Sequence, residues 1–175
     1  MLTLTDALSR WHDFYVLLGT ASATMVGLLF VAATVGAGVF SADRRAPLRV
    51  FLSASVVNFA LLLAACLAVL APVGSWVVLG LMIAACGLFG LTHCCLACRD
   101  TVRDGLIKSI DMEDRTWYIA LPFAGYLFVT GSGAMLALQL DSGCVALALS
   151  MGMLLGVGLH NAWDITVWSM TRRRE

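Results

Sequence analysis

The chain has 175 residues, of which 61% are hydrophobic and 13% charged, and its mean hydropathy is +0.91. A soluble domain carries about twice that charged fraction, so composition excludes a water-soluble fold and implies an integral membrane protein. Formal net charge is zero, which leaves no broad basic surface for nucleic acid, and a chain this short, given over mostly to membrane helix, has room for one transmembrane domain.

Residues 3–15 repeat apolar side chains at helical spacing (Leu4, Ala7, Leu8, Trp11, Phe14, Tyr15), and Trp11 and Tyr15 suit a membrane–water interface. The apolar run 14–40 that follows is the first span. It far exceeds the roughly 7–15 residues of a signal h-region, so it reads as permanent. Joined to the N-terminal segment it would be roughly 50 Å long against a hydrocarbon core of about 30 Å. It must therefore tilt, kink near Gly19, or lie partly outside the membrane. Gly19, Ala23 and Gly27 form a small-residue stripe suited to close helix packing.

A loop over residues 41–49 carries Arg44, Arg45 and Arg49, and Pro47 suits the first turn of the next helix. The second span is 47–70, with Asn58 near its middle. Pro72 and Gly74 mark a tight turn over 71–75. The third span is 76–98. Residues 99–116 form the long polar segment; Val102, Leu106 and Ile110 recur every four, which predicts a short amphipathic helix on the membrane surface. The fourth span is 117–140, residues 141–143 turn, and the fifth span is 144–170, ending at Arg172, Arg173 and Arg174. The expected fold is all-α, a bundle of five transmembrane helices.

Five spans put the termini on opposite sides. One side then holds Arg44, Arg45, Arg49, Arg99, Arg103, Lys108, Arg115 and Arg172 to Arg174, and the other holds Arg10 alone. The positive-inside rule places the C-terminus and residues 99–116 in the cytoplasm and the N-terminus outside.

The chemistry-bearing residues fall into a few groups. Gly152, Gly156, His160 and Asp164 recur every fourth residue, with Asn161 beside them. Glycines let a neighbouring backbone approach, and His160, Asn161 and Asp164 cannot face hydrocarbon cheaply. They read either as a polar path for a proton or cation or as a hydrogen-bond cluster near the cytoplasmic end, with His160 and Asp164 able to pair and Arg49 or Arg99 able to neutralise the carboxylate. Asn58 reads as a pore residue or as interhelical glue bonded to Ser22, Thr24 or Thr130. His93, Cys94, Cys95 and Cys98 offer zinc-type donors, but the HCCxxC spacing has no second half, and Cys86, Gly90, Cys94 and Cys98 read equally as a small-residue packing stripe. Cys66 and Cys144 sit near the outer ends of their spans, either as buried thiols or as a disulfide. Asp111, Glu113 and Asp114, and His12 with Asp13, read as solvated charge. No nucleophile elbow, phosphate loop or zinc-protease motif occurs, so no enzymatic activity and no cofactor is expected.

Two stretches carry a resemblance: HDFYVLLGTASATMVGLLFVAATV at 12–35, with its GLLFVA core, and HNAWDITVW at 160–168, with NAWD the more distinctive part. In these the chain resembles small bacterial multi-span membrane proteins. The resemblance implies a bacterial inner membrane and transfers no activity and no site residue.

The functional expectation is a homo-oligomeric channel or transporter for an ion or small solute, using His160, Asn161, Asp164 and Asn58. The alternatives are a non-transporting module that binds a partner through residues 99–115, and a metal or thiol-redox protein using His93, Cys94, Cys95 and Cys98.

Overall fold

The structure, a computed structural model, describes residues 4–39, 42–103 and 115–171, and the side chains of a somewhat narrower set. Within them the chain is helical throughout, with no strand. In order come α1 (Leu4–Ser9), α2 (His12–Val39), α3 (Ala42–Leu70), α4 (Trp76–Arg103), a π-helical turn (Thr116–Ala120) that runs directly into α5 (Leu121–Ala137), and α6 (Ser142–Thr171).

Among the described residues four helices are long and apolar enough to cross a membrane: His12–Thr34, Trp76–Arg99, Thr116–Ala137 and Ser142–Asp164. Within α3, Ala54–Leu70 is a shorter apolar stretch. Large apolar side chains cover the outside, among them Leu17, Phe30, Val31, Leu81, Phe89, Phe128 and Leu149. Such a surface belongs in lipid, where the backbone of each span satisfies its own hydrogen bonds. Polar residues in the spans follow the same rule: Ser22, Ser132, Thr20, Thr24 and Thr130 each donate their hydroxyl to the carbonyl one turn back.

Helices α3, α4, α5 and α6 close a ring in which each touches the next, and α2 lies outside it against α3. Among the described residues Tyr15 of α2 and Phe59, Leu62, Leu79, Ile83, Leu136, Leu147, Met151 and Leu154 are almost fully buried in one core cluster. The void left among Leu61, Leu62, Ala65, Cys86, Tyr126, Val129, Met151 and Leu154 is about 10 Å³ and apolar. That is at the lower limit of what one water needs, and it offers water no polar partner.

The closest seam joins α4 to α5. A Cβ on Gly133 would lie 2.5 Å from the Ala84 nitrogen and 2.7 Å from the Gly80 carbonyl oxygen; one on Gly80 would lie 2.5 Å from the Ala137 nitrogen. Gly87 meets the Thr130 backbone and Gly90 the Tyr126 ring in the same way. The partners run antiparallel along the two helices. Two backbones in near contact gain dispersion along their length, which is what holds helices together where no water is excluded.

The expected small-residue stripes lie differently. Gly19 does pack, its missing Cβ standing 3.2 Å from Cys66. Gly27, Gly152 and Gly156 have nothing within 4 Å, and Ala23 is exposed. These three glycines do not serve contacts within the protomer. Helix α6 turns Leu147, Met151, Leu154 and Gly158 inward instead.

Element boundaries also move. The N-terminal helix breaks at Arg10 and Trp11, where Trp11 N–H donates to the Leu8 carbonyl, and α2 passes Gly19 unbroken. Helix α3 starts at Ala42, so Pro47 lies inside it, not at its first turn. The turn at Ala71 to Ser75 falls where Pro72 and Gly74 place it. Helix α5 ends at Ala137 with Gln139 at φ 60°. Gln139 N–H donates to the Leu136 carbonyl and Leu140 N–H to that of Met135, a Schellman cap with glutamine where glycine is preferred. The surface helix expected over 99–116, with Asp111, Glu113 and Asp114, falls largely outside the described residues, as do Arg172 to Arg174.

Candidate functional site

Two polar clusters lie along the α5–α6 seam. The deeper one is centred on Asn58. Its Oδ1 accepts the Tyr126 hydroxyl hydrogen at 2.9 Å, and its Nδ2 donates to the Leu154 carbonyl at 3.2 Å. Gly158 makes the room: a Cβ there would lie 2.5 Å from Asn58 Nδ2. Asn58 thus ties α3 to both α5 and α6. The partners expected for it are otherwise engaged, since Ser22, Thr24 and Thr130 bond within their own helices. Both ends of its amide are engaged in hydrogen bonds between helices.

The second cluster lies about two turns further along α6, where the π-turn meets it. Its local cause is Pro122. Proline has no N–H, and its ring would strike the carbonyl four residues back, that of Tyr118. The backbone widens by one residue instead: Leu121 N–H donates to the Thr116 carbonyl, five residues back. The Trp117 carbonyl then loses its helical donor, because the residue five on from it is Pro122. Asn161 on α6 supplies the replacement, donating from Nδ2 at 3.3 Å. A π-turn in a helix often marks a functional site, and here it brings two consecutive aromatic residues to α6.

Trp117 stacks on His160, ring centroids 3.8 Å apart and planes 9° apart. Tyr118 donates its hydroxyl hydrogen to Asp164 Oδ2 at 2.8 Å. His160 and Asn161 are half-buried and Asp164 is exposed. His160 Nδ1 and Asn161 Oδ1 are buried atoms with no hydrogen-bond partner among the described residues. Leaving such groups unpaired costs about 1–3 kcal/mol each, so each calls for a partner such as a bound water, an ion or a group from another molecule.

This arrangement settles several expectations drawn from spacing. His160 and Asp164 do not pair with each other; each goes to a neighbouring aromatic residue on the π-turn. Asp164 makes no ion pair among the described residues, with Arg99 or any other; the Arg49 side chain, the other expected partner, lies outside them. Sequence reasoning missed Trp117, Tyr118 and Tyr126, which supply every long-range side-chain contact to the predicted polar residues except the Leu154 carbonyl. The available signal was Pro122, a proline one turn into a span beside two aromatic residues.

The thiol group is not gathered into a ligand set. His93, Cys94 and Cys98 are half-buried and Cys95 is exposed, and among the described residues no three His, Cys, Asp or Glu side chains are placed to hold a metal ion. Cys66 and Cys144 are both buried and unbridged. His12 and Asp13 form an exposed pair at 3.1 Å.

Comparison with protein-family models, with curated proteins and with solved structures gave no match.

Proposed function

We propose that this chain is a five-span protein of the bacterial inner membrane, forming a single transmembrane domain, and that it acts as a non-conducting module which docks a partner at the cytoplasmic end of α5 and α6. The fifth span is α3. Its helix runs for 29 residues, about 44 Å at 1.5 Å per residue, enough to cross although Ala54–Leu70 is its apolar part. Five spans and the ten-to-one distribution of basic residues set the N-terminus outside and the C-terminus in the cytoplasm.

The observation that carries the docking reading is that the polar atoms left without partners gather at one end of the bundle, while the deeper Asn58 is bonded to Tyr126 and the Leu154 carbonyl. Among the described residues the small cavity beside Tyr126 and Met151 is apolar, whereas His160 Nδ1, Asn161 Oδ1 and the exposed Asp164 collect at one end. The polar segment 99–115 follows α4 on the side that the basic residues set as cytoplasmic, and in this reading it supplies the rest of the docking surface. Chemistry placed at an end and not through the middle suits recognition better than permeation.

The test pairs two measurements. Purified protein in liposomes should pass protons, monovalent cations and small solutes no faster than empty vesicles. A photo-crosslinking side chain at position 163, where Trp163 is 70% exposed beside Asp164, should join one discrete polypeptide in cells, and His160→Ala or Asp164→Asn should weaken that adduct. Flux well above empty vesicles, abolished by Asp164→Asn, would defeat the docking reading.

A specific observation favours a second reading. Gly27, Gly152 and Gly156 are open to the outside of the protomer, as glycines at a helix interface between copies would be. In a homo-oligomer built on those faces, a channel or transport path would run between protomers. The flux measurement separates the two.

A further inference from the structure

At the other end of α6, the Arg10–Trp11 break and the turn between α5 and α6 wall an open groove of about 390 Å³, lined by Ala7, Arg10, Trp11, Asp141, Cys144 and Val145. Its depth follows from the helices. Apolar spans begin at His12 and at Ser142, so Arg10, Trp11 and Asp141 stand at the level where hydrocarbon gives way to headgroups. Trp11 is the residue type that settles there.

Arg10 and Asp141 face this one groove, both exposed, yet neither forms an ion pair or a side-chain hydrogen bond among the described residues. A cation and an anion that line one groove without pairing complement a zwitterion. A guanidinium takes a phosphate through two parallel N–H bonds, and a carboxylate takes an ammonium. On the bilayer side the lining continues as apolar surface, with Val145 47% and Leu149 70% exposed one turn apart on α6, a track for an acyl chain. An anionic lipid would satisfy Arg10 but meet the like charge of Asp141. A soluble zwitterion would leave the track bare.

We propose that this groove binds a zwitterionic glycerophospholipid bearing a primary ammonium, with its phosphate on Arg10, its ammonium on Asp141 and a chain along Val145 and Leu149.

The experiment is native mass spectrometry of the full chain released from mild detergent, titrated with dioleoyl-phosphatidylethanolamine, dioleoyl-phosphatidylglycerol and chain-free glycerophosphoethanolamine. Wild type should retain the ethanolamine lipid about two- to fivefold better than the glycerol lipid, a ratio in the range of one exposed charge contact. Arg10→Gln should weaken both lipids by a similar factor. Asp141→Asn should erase or reverse the preference while leaving glycerol-lipid binding intact or improved. Both side chains are exposed, so thermal unfolding of each variant should match wild type. Equal retention of the two lipids by wild type, an unchanged preference in Asp141→Asn, or chain-free headgroup binding as well as whole lipid would each overturn the assignment.

Discussion

Gly133→Ala tests the packing account at its tightest point. The new methyl would lie 2.5 Å from the Ala84 nitrogen and 2.7 Å from the Gly80 carbonyl oxygen, where ordinary contact begins near 3.4 Å. Both neighbours are backbone and neither can rotate away, so α4 and α5 must separate by about 1 Å. A gap of that size forfeits a quarter to a half of the dispersion well for the atoms it opens. Overpacking of this kind costs about 1–3 kcal/mol, and the doubly blocked site belongs at the upper end. The intrinsic helix gain of glycine to alanine, about 1 kcal/mol, works the other way. The net expectation is a loss of about 2 kcal/mol. Gly156→Ala is the matched control: nothing lies within 4 Å of its Cβ position, so only the propensity gain applies and stability should hold or rise slightly. Both are read by sodium dodecyl sulfate unfolding of the purified protein in mixed micelles, followed by circular dichroism. A Gly133→Ala protein as stable as wild type would refute the α4–α5 seam.

Further expectations follow from the polar ties. Tyr126→Phe removes the donor to Asn58 Oδ1 and should cost about 1 kcal/mol, with Asn58→Leu non-additive to it in a double-mutant cycle; additive losses would mean that the two side chains are not coupled. Gln139→Gly relieves a left-handed residue at the α5 cap and should raise stability by up to about 1 kcal/mol in the same unfolding assay; a loss would mean that the Schellman geometry is wrong. Pro122→Ala returns an N–H to the helix and should collapse the π-turn. In a background without the native cysteines, the disulfide between Tyr118→Cys and Asp164→Cys should then form more slowly than with Pro122 in place. An unchanged rate would show that proline is not the cause of the turn. If Gly152 and Gly156 face a second copy, Gly156→Leu should dissociate the oligomer on size exclusion without altering its unfolding; an intact oligomer would remove those faces from the interface.

What the sequence discloses here depends on the kind of residue. Helical spans and the turn at Pro72 and Gly74 were legible because they rest on hydropathy and on backbone restriction, both local. Which side of a span faces protein was not. Every face of these helices is mostly apolar, so an every-fourth stripe such as Gly152, Gly156, His160, Asp164 says that small or polar residues align and not what they align against. Thus Gly80, Gly87, Gly90, Gly125, Gly133 and Gly158 make the close contacts, while Gly27, Gly152 and Gly156 lie open. The break at Arg10 and Trp11 had no glycine or proline to announce it. Asn58 was recognisable as a residue that must find a partner, but its partners lie 68 and 96 residues away, beyond any local pattern. At the end of α6 the polar residues were visible and their aromatic partners were not, since an extra residue in the turn at Pro122 decides which side chains of α5 reach them.

Accessibility of single cysteines in a background without the native six tests the closed-bundle claim most directly. In right-side and inverted membrane vesicles, a membrane-impermeant maleimide should label Asp164→Cys quickly from the cytoplasmic face and leave Asn58→Cys unlabelled from either face. Prompt labelling of Asn58→Cys would establish a wet route through the protomer and contradict the account.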